Sequence, residues 1–227
     1  LQGIFKTNYA IIGIPLASAI AGEAGLRVAS MVALITIPIC NILATVSLII
    51  FVKEERKQNR IISVLKKIVT NPLIIGVSLG IFFLLIRSVF AHFDISFRLK
   101  QLVFIYNPLK SIGQIASPLA LVTLGGLFEF SYFNNLKTQV IKGVIAKVVI
   151  VPLLALFFAI IFFDFTSAEY AVLISVYATP AAVSSAVIAK EMNNDYILAN
   201  QLVVWTTLLS GISIFLIILI FRLMSIF

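Results

Sequence analysis

Seven stretches without a single charged residue recur along this 227-residue chain: Thr7–Gly22, Val28–Val52, Ile68–Ile86, Ser111–Phe128, Val148–Phe163, Tyr170–Ala189 and Tyr196–Phe221. A helix needs about 17–25 apolar residues to cross the hydrocarbon core of a bilayer. Most of these runs are long enough, and two fall slightly short. Water cannot serve backbone groups inside lipid, so each segment must pair its own N–H and C=O groups as a helix. The runs therefore predict an all-α polytopic membrane protein with seven membrane segments. Only 11% of the residues are charged against 61% hydrophobic, whereas a soluble domain needs about a quarter charged to cover its surface.

The formal net charge of +8 would suggest a nucleic-acid partner in a soluble protein. Here it follows topology instead. Lys53, Arg56, Lys57, Arg60, Lys66 and Lys67 crowd one loop, which basic bias assigns to the cytoplasm. Alternating from that loop puts Lys6, Lys137, Lys142, Lys147 and Lys190 on or near the same side. Arg27, Arg87, Arg98, Lys100, Lys110 and Arg222 fall on the other, and the C-terminus comes out external. The expected partner of such a surface is the lipid bilayer, with no nucleic acid. Attraction to anionic lipid is a weaker second reading of the basic loop.

Constellations for catalysis are missing. Cys40 is the one cysteine and His92 the one histidine, which excludes a disulfide framework, a thiolate metal site and a paired-histidine zinc protease. No Gly-x-Ser-x-Gly elbow and no phosphate-cradling loop occurs. The sequence predicts neither enzyme, metal nor cofactor. Cys40, inside an apolar run, reads as a small buried hydrophobe.

"KEERKQNR" (53–60), continuing to Lys67, separates two segments from five and suggests a short amphipathic helix on the membrane surface. This divides the chain into 1–52, a basic loop 53–70, and 71–227. "TNP" at 70–72 opens the next segment with Pro72 in its first turn, and "YNPLKS" (106–111) marks another start. Between Arg87 and Lys110 lies an external stretch whose aromatic residues fit the interface belt. Tight links at Asp164–Glu169 and Lys190–Asp195 predict antiparallel neighbours. The chain opens at Leu1 without a leader, as a trimmed chain or a fragment would.

Residues 8–52 and 176–221 share an order: a small-residue segment interrupted by one proline (Pro15, Pro180), a short polar turn, then a long apolar helix. Under the charge-based topology the two run in opposite senses across the membrane, as an inverted repeat would. Proline removes a backbone donor and clashes with the carbonyl one turn earlier. Two such breaks at corresponding places point to a transporter's binding site. Half-helix N-termini there suit a carboxylate, and small residues let the two helices cross closely.

Candidate substrate contacts are Asn8, Tyr9, Gly13 and Pro15 at the first break, with Thr179, Pro180, Ser184 and Ser185 at the second. Ser175 lies beside them. The competing reading makes each break a proline kink with Ser and Thr packed between helices, and makes Asn8 and Tyr9 a cap and an interface anchor. Lys147 lies inside its segment and is the electrostatic candidate, a counter-ion for an anion; alternatively it snorkels to the cytoplasmic interface. Asn200, Gln201, Thr206 and Thr207 are expected on one inward face of the last helix. Glu129 is expected at the interface.

Five motifs carry a family resemblance along nearly the whole chain: "TNYAIIGIPLASAIAGEAGL" (7–26), "NPLIIGVSLGIFF" (71–83), "SPLALVTLGGLFE" (117–129), "AKVVIVPLLAL" (146–156) and "VWTTLLSGI" (204–212). Together, and in this order, they resemble the auxin efflux carrier family, whose bacterial members include proteins described as malonate or malate permeases. The resemblance implies ten transmembrane helices in two inverted five-helix repeats, similar to bile-acid sodium symporters. The fourth and ninth helices would be broken and crossed, with Pro15 in the fourth and Pro180 in the ninth. It implies a multi-pass protein of the cell membrane that carries organic anions as a homodimer, and a chain holding the last seven helices without the first three. The expected function is secondary transport of small organic anions, with a sodium-coupled symporter of the same fold or a non-transporting membrane sensor or scaffold as alternatives.

Overall fold

A computed structural model describes residues 2–51, 70, 72–92, 101–126 and 128–227, and among these it is helical with no strand. The predicted amphipathic helix at 53–67 and much of the external aromatic stretch, 93–100, lie outside the described residues. The chain divides into two compact units, one of residues 1–52 with 123–227 and one of residues 53–122.

In the first unit a short helix α1 (Gln2–Phe5) leads through Lys6–Asn8 into a π turn, Tyr9–Gly13, and then α2, Ile14–Phe51. α2 is two arms. At Ala21 and Gly22 the backbone leaves helical geometry, with Gly22 at φ 59° and ψ −143°, a region open to glycine and costly for other residues. The chain folds back there. The Tyr9 hydroxyl donates to the Ala29 carbonyl at 2.9 Å, and a Cβ on Gly25 would strike the Ala17 carbonyl. Ala17, Ala29 and Ala33 are buried between the arms, since small side chains let helices approach where lipid supplies no hydrophobic drive.

α5 (Phe130–Ile145), a second π turn (Ala146–Ile150) and α6 (Val151–Phe162) form one continuous rod. α7 (Ser167–Tyr177) starts at a capping box, where Thr166 accepts from the Glu169 backbone and the Glu169 carboxylate accepts from Thr166. An irregular stretch separates α7 from α8 (Ser184–Glu191), and α9 (Tyr196–Leu223) closes the chain with Asp195 capping its first turn. α2 packs on α7, and α9 on α5 and α8.

The second unit holds α3 (Pro72–His92), which opens at the proline of "TNP", and the first part of α4 (Val103–Gly126). α4 starts before the "YNPLKS" signal. Leu102 accepts from the amides of Ile105 and Tyr106, so Pro108 lies inside the helix, where the Phe104 carbonyl loses the amide that would serve it four residues on. Ile75, Leu79, Phe82, Phe83 and Leu85 of α3 are exposed.

By length and composition, three helical stretches among the described residues are fit to cross a membrane: Tyr9–Leu48, Phe130–Phe162 and Tyr196–Leu223. This differs from seven separate runs. The first two runs join as one stretch through the turn at Gly22, the run at Tyr170–Ala189 is two short helices, and the apolar core of α3 is the shorter Ser78–Phe90.

Candidate functional site

Two interrupted helices meet at their interruptions. The first break lies at Lys6–Asn8, upstream of Pro15, and the second at Ala178–Val183, around Pro180. They are joined by an isolated antiparallel bridge between Thr7 and Ala181. The Asn8 amide donates to the Pro180 carbonyl at 2.9 Å, and the Ala182 amide donates to the Lys6 carbonyl at 3.1 Å. The Thr7 and Thr179 hydroxyls hydrogen-bond to each other. Backbone groups freed by each break are thus satisfied largely by the other, which removes a cost of several kcal/mol per group that bare hydrocarbon would impose.

Helix side chains serve the remaining orphans. The Ala181 amide donates to Thr206 Oγ1 at 3.1 Å, while that hydroxyl donates back to the Leu202 carbonyl at 2.7 Å. Thr179 Oγ1 donates to the Ser175 carbonyl at 2.8 Å, and Ser175 Oγ to the Ala171 carbonyl. The Gln2 side-chain amide donates to the Ser185 carbonyl at 2.9 Å.

Pro15 does not make the first break. It follows the π turn, in which the Gly13 amide reaches back to the Asn8 carbonyl and the Ile14 amide to the Tyr9 carbonyl. Pro152 follows the second π turn in the same register, two positions past its last residue, and there the Val151 amide reaches the Ala146 carbonyl. A widened turn moves the earlier carbonyl away from the proline ring. The continuous helices at Pro15 and Pro152 show how a membrane helix holds a proline without breaking.

The candidates divide by what their polar atoms do. Tyr9 is buried and its hydroxyl is committed to Ala29, which makes it a strut between the arms of α2 rather than an interface anchor. Gly13 is a contact point: a Cβ there would run into the Tyr9 ring and lie 2.8 Å from the Ser175 carbonyl. Asn8 is buried at the break, and its side chain does not cap the π turn. Ser184 is half-buried, and Ser185 is fully buried with its Oγ unpartnered. Asn200, Gln201 and Thr206 are buried as expected of an inward face. Thr207 is not: it is exposed, and its hydroxyl donates to the Val203 carbonyl. Glu129 is exposed, and its carbonyl accepts from Gln201.

Lys147 does not snorkel, being only 1% exposed inside the π turn that packs on α1 and α9. Lys6 was not among the candidate contacts, since the charge count only placed it on or near the cytoplasmic side. It sits in the first break, 3% exposed, with Nζ unpartnered. Cys40 is free and half-buried. Among the described residues no group of three or more His, Cys, Asp or Glu gathers as a metal site would require.

Neither a curated protein nor a solved structure matches the chain. A family model described as membrane transport protein matches residues 4–218, nearly the whole length. That family is one of transporters and not of enzymes, and its members work without a resident cofactor. With apolar helices long enough to span a bilayer, the chain belongs to the membrane transport protein family, that of the auxin efflux carriers.

Proposed function

We propose that the chain is a secondary carrier of small organic anions, working by alternating access at the crossing of its two interrupted helices. The observation that carries this reading is the junction of the breaks at Thr7–Ala181, beside a buried lysine, Lys147, on the turn against which α1 packs. Interrupted helices concentrate polar backbone at mid-membrane, and an enclosed cation in such a setting calls for an anion. The order of break, turn and long helix recurs, in 8–52 and again in 176–221, which supports an inverted-repeat fold. On this reading the protein is a multi-pass component of the cell membrane, acts as a homodimer, and contacts substrate through Asn8, Ser184, Ser185 and Lys147. Pro15, Tyr9 and Gly13 shape the site, and Thr179 and Pro180 form the second break.

The test is anion flux in proteoliposomes with a panel of carboxylates, with and without sodium and proton gradients. Flux that is lost in Lys147→Met and reduced in Pro180→Ala supports the carrier, and its gradient dependence separates a facilitator from a sodium-coupled symporter. No flux of any anion by correctly inserted protein refutes the reading and leaves a non-transporting sensor.

A further inference from the structure

The carrier reading uses Lys147 and leaves a second buried lysine without a task. Lys6 stands in the first break, 3% exposed, and its Nζ has no partner. Its amide bonds the Gln2 carbonyl at 2.9 Å, so one helical turn joins the two residues and sets them on one face. The Gln2 side chain in turn donates to the Ser185 carbonyl, at the edge of the second break. Lys6 therefore sits where the two breaks are tied together. Gln2 Oε1 and Ser185 Oγ are also buried without partners, but both are neutral and cannot balance an ammonium charge.

The elements packed on α1 do not supply that balance either. α2 offers the Cys40 thiol, on which the Lys6 and Lys147 charges both act, while its Glu23 and Arg27 pair with each other in the open. The second π turn offers Lys147, a like charge that is just as enclosed. α5 carries Lys137 and Lys142 and begins beside Glu129, all exposed. Asp195, Tyr196 and Arg222 of α9, and Lys190 and Glu191 of α8, are exposed as well. The buried Tyr9 hydroxyl is committed to Ala29. Among the described residues no carboxylate is buried.

We propose that Lys6 is a proton-binding residue of the carrier, taking up a proton as an anion enters and releasing it as the anion leaves. The proposal rests on the carrier reading and adds the ion that accompanies the substrate. Burial penalises a charged amine, and a like charge nearby penalises it further. With the site empty, one enclosed ammonium costs less than two. An entering anion offsets Lys147 and lets the Lys6 amine accept a proton from water, –NH2 becoming –NH3+. For a singly charged anion the net buried charge is then the same before and after. Proton relays in membranes ordinarily run on carboxylates or histidine. Here a lysine takes that part, as the compact amine of a buried lysine is able to do.

The experiment is isothermal titration of the purified protein with lactate, pyruvate and oxalate, in buffers of differing ionisation enthalpy. These acids are fully ionised from neutral pH upward, so a proton taken up on binding goes to the protein. Titrations from neutral pH to about pH 9.5 stay below the range where an ordinary lysine loses its proton. Uptake is expected to rise toward about one proton per anion, with affinity falling about tenfold per pH unit at the alkaline end. It should persist in Cys40→Ala and Lys147→Arg. It should vanish in Lys6→Gln and in Lys6→Arg, whose guanidinium keeps its proton throughout. Should neither Lys6 variant fold, persistence in the other two variants assigns the proton by elimination. Uptake lost in Cys40→Ala gives the proton to the thiol, uptake lost in Lys147→Arg gives it to Lys147, and uptake surviving in Lys6→Arg gives it to another group. Each of these overturns the assignment. Anion binding without proton uptake by the unaltered protein overturns the proposal and leaves the carrier standing. Failure to bind any of the three anions removes the carrier reading and this proposal with it.

Discussion

The Ser213 hydroxyl donates to the Val148 carbonyl at 2.6 Å, and Val148 is the residue whose carbonyl Pro152 cannot serve. In an uninterrupted helix that carbonyl would accept from the amide four residues on, which proline lacks. Ser213→Ala is expected to cost about 1–2 kcal/mol by leaving a buried carbonyl unsatisfied. In a Pro152→Ala background the restored amide can take the carbonyl, so the same substitution should cost much less. Thermal unfolding of the four proteins in detergent measures the coupling.

Thr206 does for the second break what Ser213 does for the rod, holding the Ala181 amide. Thr206→Val keeps the shape and removes the acceptor. It is expected to destabilise by about 1–3 kcal/mol and to speed amide exchange at residues 178–183. Thr206→Ser should restore most of both, as read by exchange mass spectrometry.

Gly13 and Gly22 are needed for different reasons, and alanine tells them apart. At Gly13 the new methyl meets the Tyr9 ring and the Ser175 carbonyl, so Gly13→Ala should cost about 1–3 kcal/mol through overpacking. Tyr9→Ala in the same chain should relieve part of that cost, although it creates a cavity of its own. At Gly22 no atom stands within 4 Å of the new methyl, and the cost is that of the backbone, about 1–3 kcal/mol. No second-site change should relieve it. Melting temperatures of the single and double variants distinguish crowding from strain.

The capping box at the start of α7 gives a pH signature. Glu169 is held below the ordinary carboxylate range by the Thr166 amide first and the Thr166 hydroxyl second. A carboxyl depressed in the folded protein contributes stability that is present above its unfolded value and is lost as the pH falls through its folded one. Glu169→Gln should therefore destabilise the protein at neutral pH and leave it nearly unchanged in strong acid. Melting temperature against pH for the two proteins would converge at the acid end; parallel curves would exclude the linkage.

Much of the second break was legible in the sequence, and less of the first. Thr179-Pro180 among small residues marks the discontinuity, because proline interrupts the ladder whatever surrounds it. Thr166 and Glu169, three apart before an apolar run, mark the start of α7 in the same local way. Lys6–Asn8 has no proline or glycine. It is non-helical because the Pro180 carbonyl and the Ala182 amide offer its backbone better partners than the next helical turn, and that information lies far along the chain. Pro15 was the misleading signal, since proline after a π turn looks the same in sequence as proline at a break. The burial of Lys6 was invisible for a related reason: nothing near it in sequence shows that α1 is covered by α5, α9 and the second π turn.

The bridge between Thr7 and Ala181 has a mechanical meaning. Two rods that merely cross can scissor about their contact. Two rods that exchange backbone hydrogen bonds where each is interrupted resist this, because changing the angle would strain or break those bonds. The crossing behaves as a weld rather than a pivot. Any rearrangement that keeps those bonds must carry both interruptions together.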